Sequence, residues 1–220
     1  MMLSFSCTVM CSEYRGAVLP LSRFAVHFCA MNRKYELKER ARRQSQTRQR
    51  IIEAAVDLHT STGPARTTIS GIAERAGVER HTVYAHFPDE RALFRACSEH
   101  WEARHPLPDL EALAAVDDPL RRLRRVLGDL YAWYDSVEAD LALFLRDASL
   151  VPANAEVLDE MTAGFAPLTD ALAHGLPRRK TVRAAIGHTL EFETWRSLVR
   201  RQGLSRAQAV DAMTRLVSSV

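Results

Sequence analysis

The sequence predicts an all-α protein of about nine helices, in which a head of short helices precedes a bundle of longer ones. Three observations carry that expectation. Apolar residues recur at spacings of three and four, and no run keeps a period of two. Proline and glycine punctuate the chain at helix-sized intervals, at Gly63-Pro64, Gly77, Pro88, Pro106, Pro119, Pro152, Gly175 and Gly203. Helix-length segments before about Arg104 are short and tightly spaced, whereas those after it are longer.

Taken in order, the first 30 residues mix Met, Ser, Cys and aromatics without periodicity. Residues 1–32 read as a disordered extension or as the product of a start placed too early, with Met31 opening the protein. The start lacks the charge of a signal peptide. Residues 33–46 form a basic arm: from Arg33 to Arg50 there are eight basic residues against two acidic ones. From His105 onward the balance is 14 basic against 16 acidic. A basic front on a near-neutral remainder points to a nucleic acid or another anionic surface, met by the front alone. Four cysteines, Cys7, Cys11, Cys29 and Cys97, show no zinc-finger spacing and suit free thiols in a reducing cytoplasm. No run of 18 apolar residues offers a membrane span.

Helices are expected at 47–61, 69–76, 80–86 and 89–104, then at 119–135, 138–149, 154–174, 179–202 and 205–219. Thr68 is placed to cap the second of these, Ile69, Ile72, Ala73 and Ala76 give it one apolar face, and Gly77 supplies the left-handed stop. Val83 and Phe87 turn inward on the next helix, and Glu79, a weak cap, precedes it. Two short helices about a glycine turn make a helix-turn-helix, whose second helix lies in the major groove of DNA. The candidate DNA-binding residues are Thr47, Thr68, Arg80, His81, Thr82, Tyr84, His86 and Arg91. Arg80 suits guanine or phosphate, His81 and Thr82 suit base edges, and Tyr84 and His86 suit phosphates.

The stretch from Thr47 to Phe94, with Ile72-Ala73-Glu74-Arg75-Ala76-Gly77-Val78 and Thr82-Val83-Tyr84-Ala85-His86-Phe87 at its centre, resembles the DNA-binding domain of the tetracycline-repressor (TetR) family. The resemblance implies a helix-turn-helix domain over 47–94 and a ligand-binding and dimerisation domain over 95–220. It also implies a homodimer on a palindromic operator, released by a small molecule. Two departures stand out: Glu79 where Ser is usual, and Glu90 where the family often has lysine.

In the remainder, Trp133, Tyr134, Phe144, Met161, Phe165, His188 and Phe192 are candidates to line a cavity for an apolar or aromatic effector. Trp195, Leu198, Val199, Met213, Leu216 and Val217 are candidates for the dimer surface, the alternative being that they close the chain's own core. No cofactor or metal is expected. His188 with Glu191 is the nearest approach to a catalytic or metal pair, and a lone pair makes no site. The reading is therefore a cytoplasmic, DNA-binding transcriptional regulator, a ligand-released repressor, and not an enzyme. Its alternatives are an architectural DNA-binding protein without effector and, further off, a helical enzyme.

Overall fold

Identifiable residues set the helix ends and the packing in the computed structural model, which describes residues 21–113 and 116–220. Met1–Thr47 and Arg48–Val220 are two separate units. Helix α1 (Leu21–Ser61) begins well ahead of the expected start at 47, because no proline or glycine interrupts residues 21–62. Residues 21–32 of the N-terminal extension thus carry helical backbone, whereas residues 1–20, with Cys7 and Cys11, lie outside the described residues. Lys38, Arg40, Arg42 and Arg43 of the basic arm are exposed, and Arg42 pairs with Glu39 at 3.2 Å.

The second unit contains the rest. A 3-10 turn at Pro64–Arg66 leads to α2 (Ile69–Ala76), α3 (Arg80–His86) and α4 (Glu90–Arg104). A short α5 (Leu110–Leu113) precedes α6 (Pro119–Asp147), α7 (Pro152–Ala163), α8 (Phe165–Ala173), α9 (Lys180–Leu190), α10 (Phe192–Arg196) and α11 (Arg206–Ser218). Among the described residues there is no strand, and nine helices reach seven residues or more. Helix α6 is the spine: Leu123, Leu127, Leu130, Tyr131, Tyr134 and Leu141 run along it, all buried, and α7, α8, α9, α10 and α11 pack on it. Asp118 caps it by accepting from the Arg121 N–H at 2.6 Å, with Pro119 at the first helical position.

Three expected boundaries differ. The two helices expected at 119–135 and 138–149 are one, because Val137 continues the buried stripe and nothing near it breaks a helix. The single helix expected at 154–174 is two. Pro167 has no N–H to offer the Ala163 carbonyl, and its ring collides with that carbonyl, so α7 ends and α8 restarts. The helix expected at 179–202 is also broken: Glu191 is extended (φ −71°, ψ 137°), and Ser197–Arg201 widens into a π turn. That break frees the carbonyls of Thr189 and Leu190. The buried Tyr131 hydroxyl donates to the first at 2.8 Å, and the Tyr134 hydroxyl to the second at 2.6 Å.

The turn after α1 is clamped by the end of α6. Asp147, 2% exposed, accepts from the Ala65 N–H at 3.0 Å and from the Arg146 guanidinium, which also donates to the Thr62 carbonyl at 3.1 Å. Gly63 (φ +96°) lies directly beneath, where a Cβ would strike the Arg146 and Asp147 side chains. The Arg146 hydrogen bonds, outweighing burial, hold the Asp147 carboxyl below its ordinary value. Its contribution is therefore present above the ordinary carboxylate range and lost as pH falls through the lowered folded value. Asp147→Asn is expected to cost about 2 kcal/mol at pH 7, a charged hydrogen bond's worth. The difference from wild type should vanish in acid well below about pH 4, where the unfolded carboxyl is protonated too. Urea unfolding at the two pH values checks this.

Candidate functional site

The head is built by local sequence. The Thr68 hydroxyl accepts from the Gly71 N–H at 3.1 Å and opens α2. Gly77 (φ +65°) closes it: its N–H reaches the Glu74 carbonyl at 3.1 Å, and the Val78 N–H reaches that of Ala73 at 3.0 Å. This pair of bonds turns the chain sharply into α3. Glu79 sits at the cap of α3 but its side chain makes no capping bond, so the weak cap expected of it is not formed. Val83 and Phe87 anchor the helix in the core.

What α3 leaves outside is Arg80, His81 and Tyr84, the last 49% exposed, with Thr82 and His86 half-buried beside them. Five of the eight candidate DNA-binding residues are thus gathered on one short helix. The other three are placed differently. Thr68 has its hydroxyl engaged in capping, and Thr47 is half-buried on α1, in the first unit. Arg91 is ion-paired with Glu156 of α7 at 2.7 Å, so its guanidinium is held against the C-terminal helices; Arg95 does the same with Glu160 at 3.0 Å. One further cation belongs with the head: the Arg48 guanidinium stacks over the Phe87 ring, 4.8 Å from its centroid, at the end of α3. Sequence reasoning passed it over because the contact joins positions far apart in the chain.

A cavity of about 1320 Å³ opens among α4, α6, α7, α8, α9 and α10. Trp133, Tyr134, Met161, Phe165 and Phe192 line it, five of the seven candidates for effector binding. Trp101 of α4, not among them, lines it as well. Its indole N–H donates to the Asp140 carboxylate at 2.6 Å, while the Trp133 indole donates to the His105 carbonyl at 3.0 Å. Phe144 stands behind Trp101 (centroids 5.8 Å apart) and borders a separate small space shared with His59 and Cys97. His188 faces out of the cavity, exposed, beside Glu191 at 3.5 Å and Thr194. The candidate dimer residues also divide. Trp195 and Val217, 0% and 2% exposed, are buried in the chain's own core; Leu198, Val199, Met213 and Leu216 reach the surface. They come from the π turn Ser197–Arg201 and from α11, where apolar residues stand on both the inner and the outer side and spacing alone does not tell one from the other.

Residues 51–97 match the family described as bacterial regulatory proteins, tetR family. Over those residues, which include α2 and α3, the chain is similar to the tetR family. Its similarity to the HTH-type transcriptional regulator AcrR of Shigella flexneri is 37% identity over 83 residues, covering 37% of this chain and 39% of that protein. The aligned part thus spans about two fifths of that relative's length. Two solved structures extend the likeness. A transcriptional regulator from Rhodococcus sp. superposes with a TM-score of 0.57 at 18% identity, covering 79% of this chain and 95% of its own. The multidrug binding protein EbrR, solved in complex with imidazole, superposes with a TM-score of 0.51 at 26% identity, covering 77% of this chain and 88% of its own. The all-α fold shared with these structures therefore continues past residues 51–97 into the C-terminal helices.

Proposed function

We propose that this chain is a sequence-specific transcriptional regulator that binds a DNA operator as a homodimer and is released by a small apolar or aromatic molecule. The observation that carries the reading is the outward face of α3, where Arg80, His81 and Tyr84 project from a helix anchored behind by Val83 and Phe87. An α-helix so presented fits the major groove, its first residues against base edges. Arg48, stacked on Phe87, is positioned to meet the phosphate backbone at the end of the same helix. One such helix reads too few base pairs to find an operator among genomic competitors, and two on a twofold axis read a palindrome. Leu198, Val199, Met213 and Leu216 remain available for that pairing.

The cavity favours effector control over a purely architectural role, since a protein that only shaped DNA has no use for an aromatic-walled space of about 1320 Å³. That a structural relative is named a multidrug binding protein supports the same reading. A molecule that fits the cavity better in one spacing of the two heads than in another shifts the population away from the DNA-competent form. That a relative from Escherichia coli is named a probable acrEF/envCD operon repressor supports repression, and a regulator that meets bacterial DNA acts in the cytoplasm.

The test is binding of the purified full chain to the DNA upstream of its own coding region at two salt concentrations, with selection from random duplexes alongside. A preferred sequence is expected, with affinity falling steeply in salt as phosphate contacts release counterions. His81→Ala should lose about 2 kcal/mol, roughly thirtyfold, on that sequence with little change on unrelated DNA, whereas Tyr84→Phe, which removes a phosphate contact, should weaken both alike. Failure of both the upstream fragment and the selection to yield a preferred duplex would sink the regulator reading.

A further inference from the structure

The charge of the cavity is uneven in a way that its aromatic walls do not explain. Six carboxylates border it, those of Glu99, Glu102, Asp109, Glu160, Glu191 and Glu193, against three basic side chains, Arg95, Lys180 and Arg183. Two of those three are already neutralised: Arg95 pairs with Glu160 at 3.0 Å, and Arg183 with Asp170. Glu191 has His188 at 3.5 Å, and Glu193 has Arg196 at 3.5 Å. Among the described residues, Asp109 has no cationic partner but accepts from the Ala112 N–H at 2.9 Å, and Glu99 and Glu102 have no cationic partner either. They stand three apart on α4, hence on one face of it, on either side of Trp101 in sequence. Lys180, the remaining unpaired cation, is on a different wall, at the start of α9.

Resting on the effector reading above, we infer that the cavity selects a planar aromatic cation, its ring system held among Trp101, Trp133, Phe165 and Phe192 and its positive charge drawn to Glu102. Aromatic faces attract cations and stack on flat rings, and an unpaired carboxylate beside them adds a directional Coulomb attraction that neutral and anionic molecules lack. Glu102 is exposed at the cavity's edge, and its partial burial, with the neighbouring carboxylates of Glu99 and Glu160, raises its carboxyl above the ordinary value. A cation arriving there relieves that repulsion, whereas an anion compounds it.

Three acridines of nearly equal shape test the charge alone: 9-aminoacridine (cationic at pH 7), acridine (largely neutral) and acridine-9-carboxylate. Each is titrated by fluorescence into the full chain without DNA. The cation is expected to bind at least about tenfold more tightly than acridine, and the carboxylate most weakly. Glu102→Gln should remove most of the cation's advantage while leaving acridine's affinity unchanged, which also shows that the variant is folded. Equal binding of all three overturns the inference, as does binding of none, preference for the carboxylate, or an effect of Lys180→Gln in place of Glu102→Gln. Operator binding measured on the same preparations separates the two readings. A chain that binds its operator but shows no cation preference keeps the regulator reading and loses this one; the reverse result keeps only this one.

Discussion

Trp195→Ala should destabilise the chain by about 4 kcal/mol, as expected for removing a large aromatic side chain from a closed core. Trp195 is fully buried, packed against Tyr134 (centroids 5.7 Å apart) and Phe192 (5.3 Å), with the Arg200 guanidinium 5.1 Å from its ring centroid on the outer side. The experiment also separates two roles for this residue. In an interface tryptophan the loss would appear mainly as weakened dimerisation, so the urea midpoint would become more dependent on protein concentration. In a core tryptophan the same loss appears at every concentration. Trp195→Phe is the companion variant. The Trp195 indole N–H is buried without a partner among the described residues, so the phenylalanine gives up area but no hydrogen bond. It should cost only about 1 kcal/mol. A large loss with Trp195→Phe, or a midpoint shift seen only in dilute solution, would overturn the core assignment.

The second large effect is acid sensitivity centred on His59. This side chain, 7% exposed, packs on Phe94 with centroids 4.9 Å apart, and burial lowers its pKa to about 4. An unfolded chain takes up the proton near the ordinary histidine value of about 6.5. Between those values the unfolded state holds a proton that the folded state refuses, so stability rises with pH across that window. Falling from pH 7 to pH 4 should therefore cost about 3 kcal/mol through this residue alone. His59→Phe places an uncharged ring in the same space beside Phe94, and its stability should fall less over that range by about that amount. Parallel stability–pH curves for the two proteins would refute the assignment.

The head was legible in the sequence because its structure is local. Thr68, Gly77, Val83 and Phe87 cap, stop and anchor helices through contacts a few residues apart, and α2 and α3 begin and end where those residues place them. The C-terminal helices were legible in their apolar faces but not in their breaks. Pro167 could have marked the interruption between α7 and α8. The interruption at Glu191 has no local mark, because its freed carbonyls are satisfied by tyrosines nearly sixty residues away. The same limit applies to the sites. Aromatic spacing found Trp133, Tyr134, Phe165 and Phe192 of the cavity wall, yet Phe144 and His188 share that spacing and stand elsewhere, while Trp101 enters from the head's last helix. Exposure decided Trp195 and Val217, and exposure is a property of the assembled bundle.

The clamp over Gly63 bears on how such proteins can be recombined. A head transplanted onto these C-terminal helices from another protein of this fold would meet the Asp147 carboxylate and the Arg146 guanidinium at the turn that follows its first helix. It would fit only with glycine at that position and a backbone N–H two residues later, where Ala65 offers one here. Head and bundle are therefore interchangeable parts only within the subset of heads that share this turn, and the joint that defines the subset is a few residues wide.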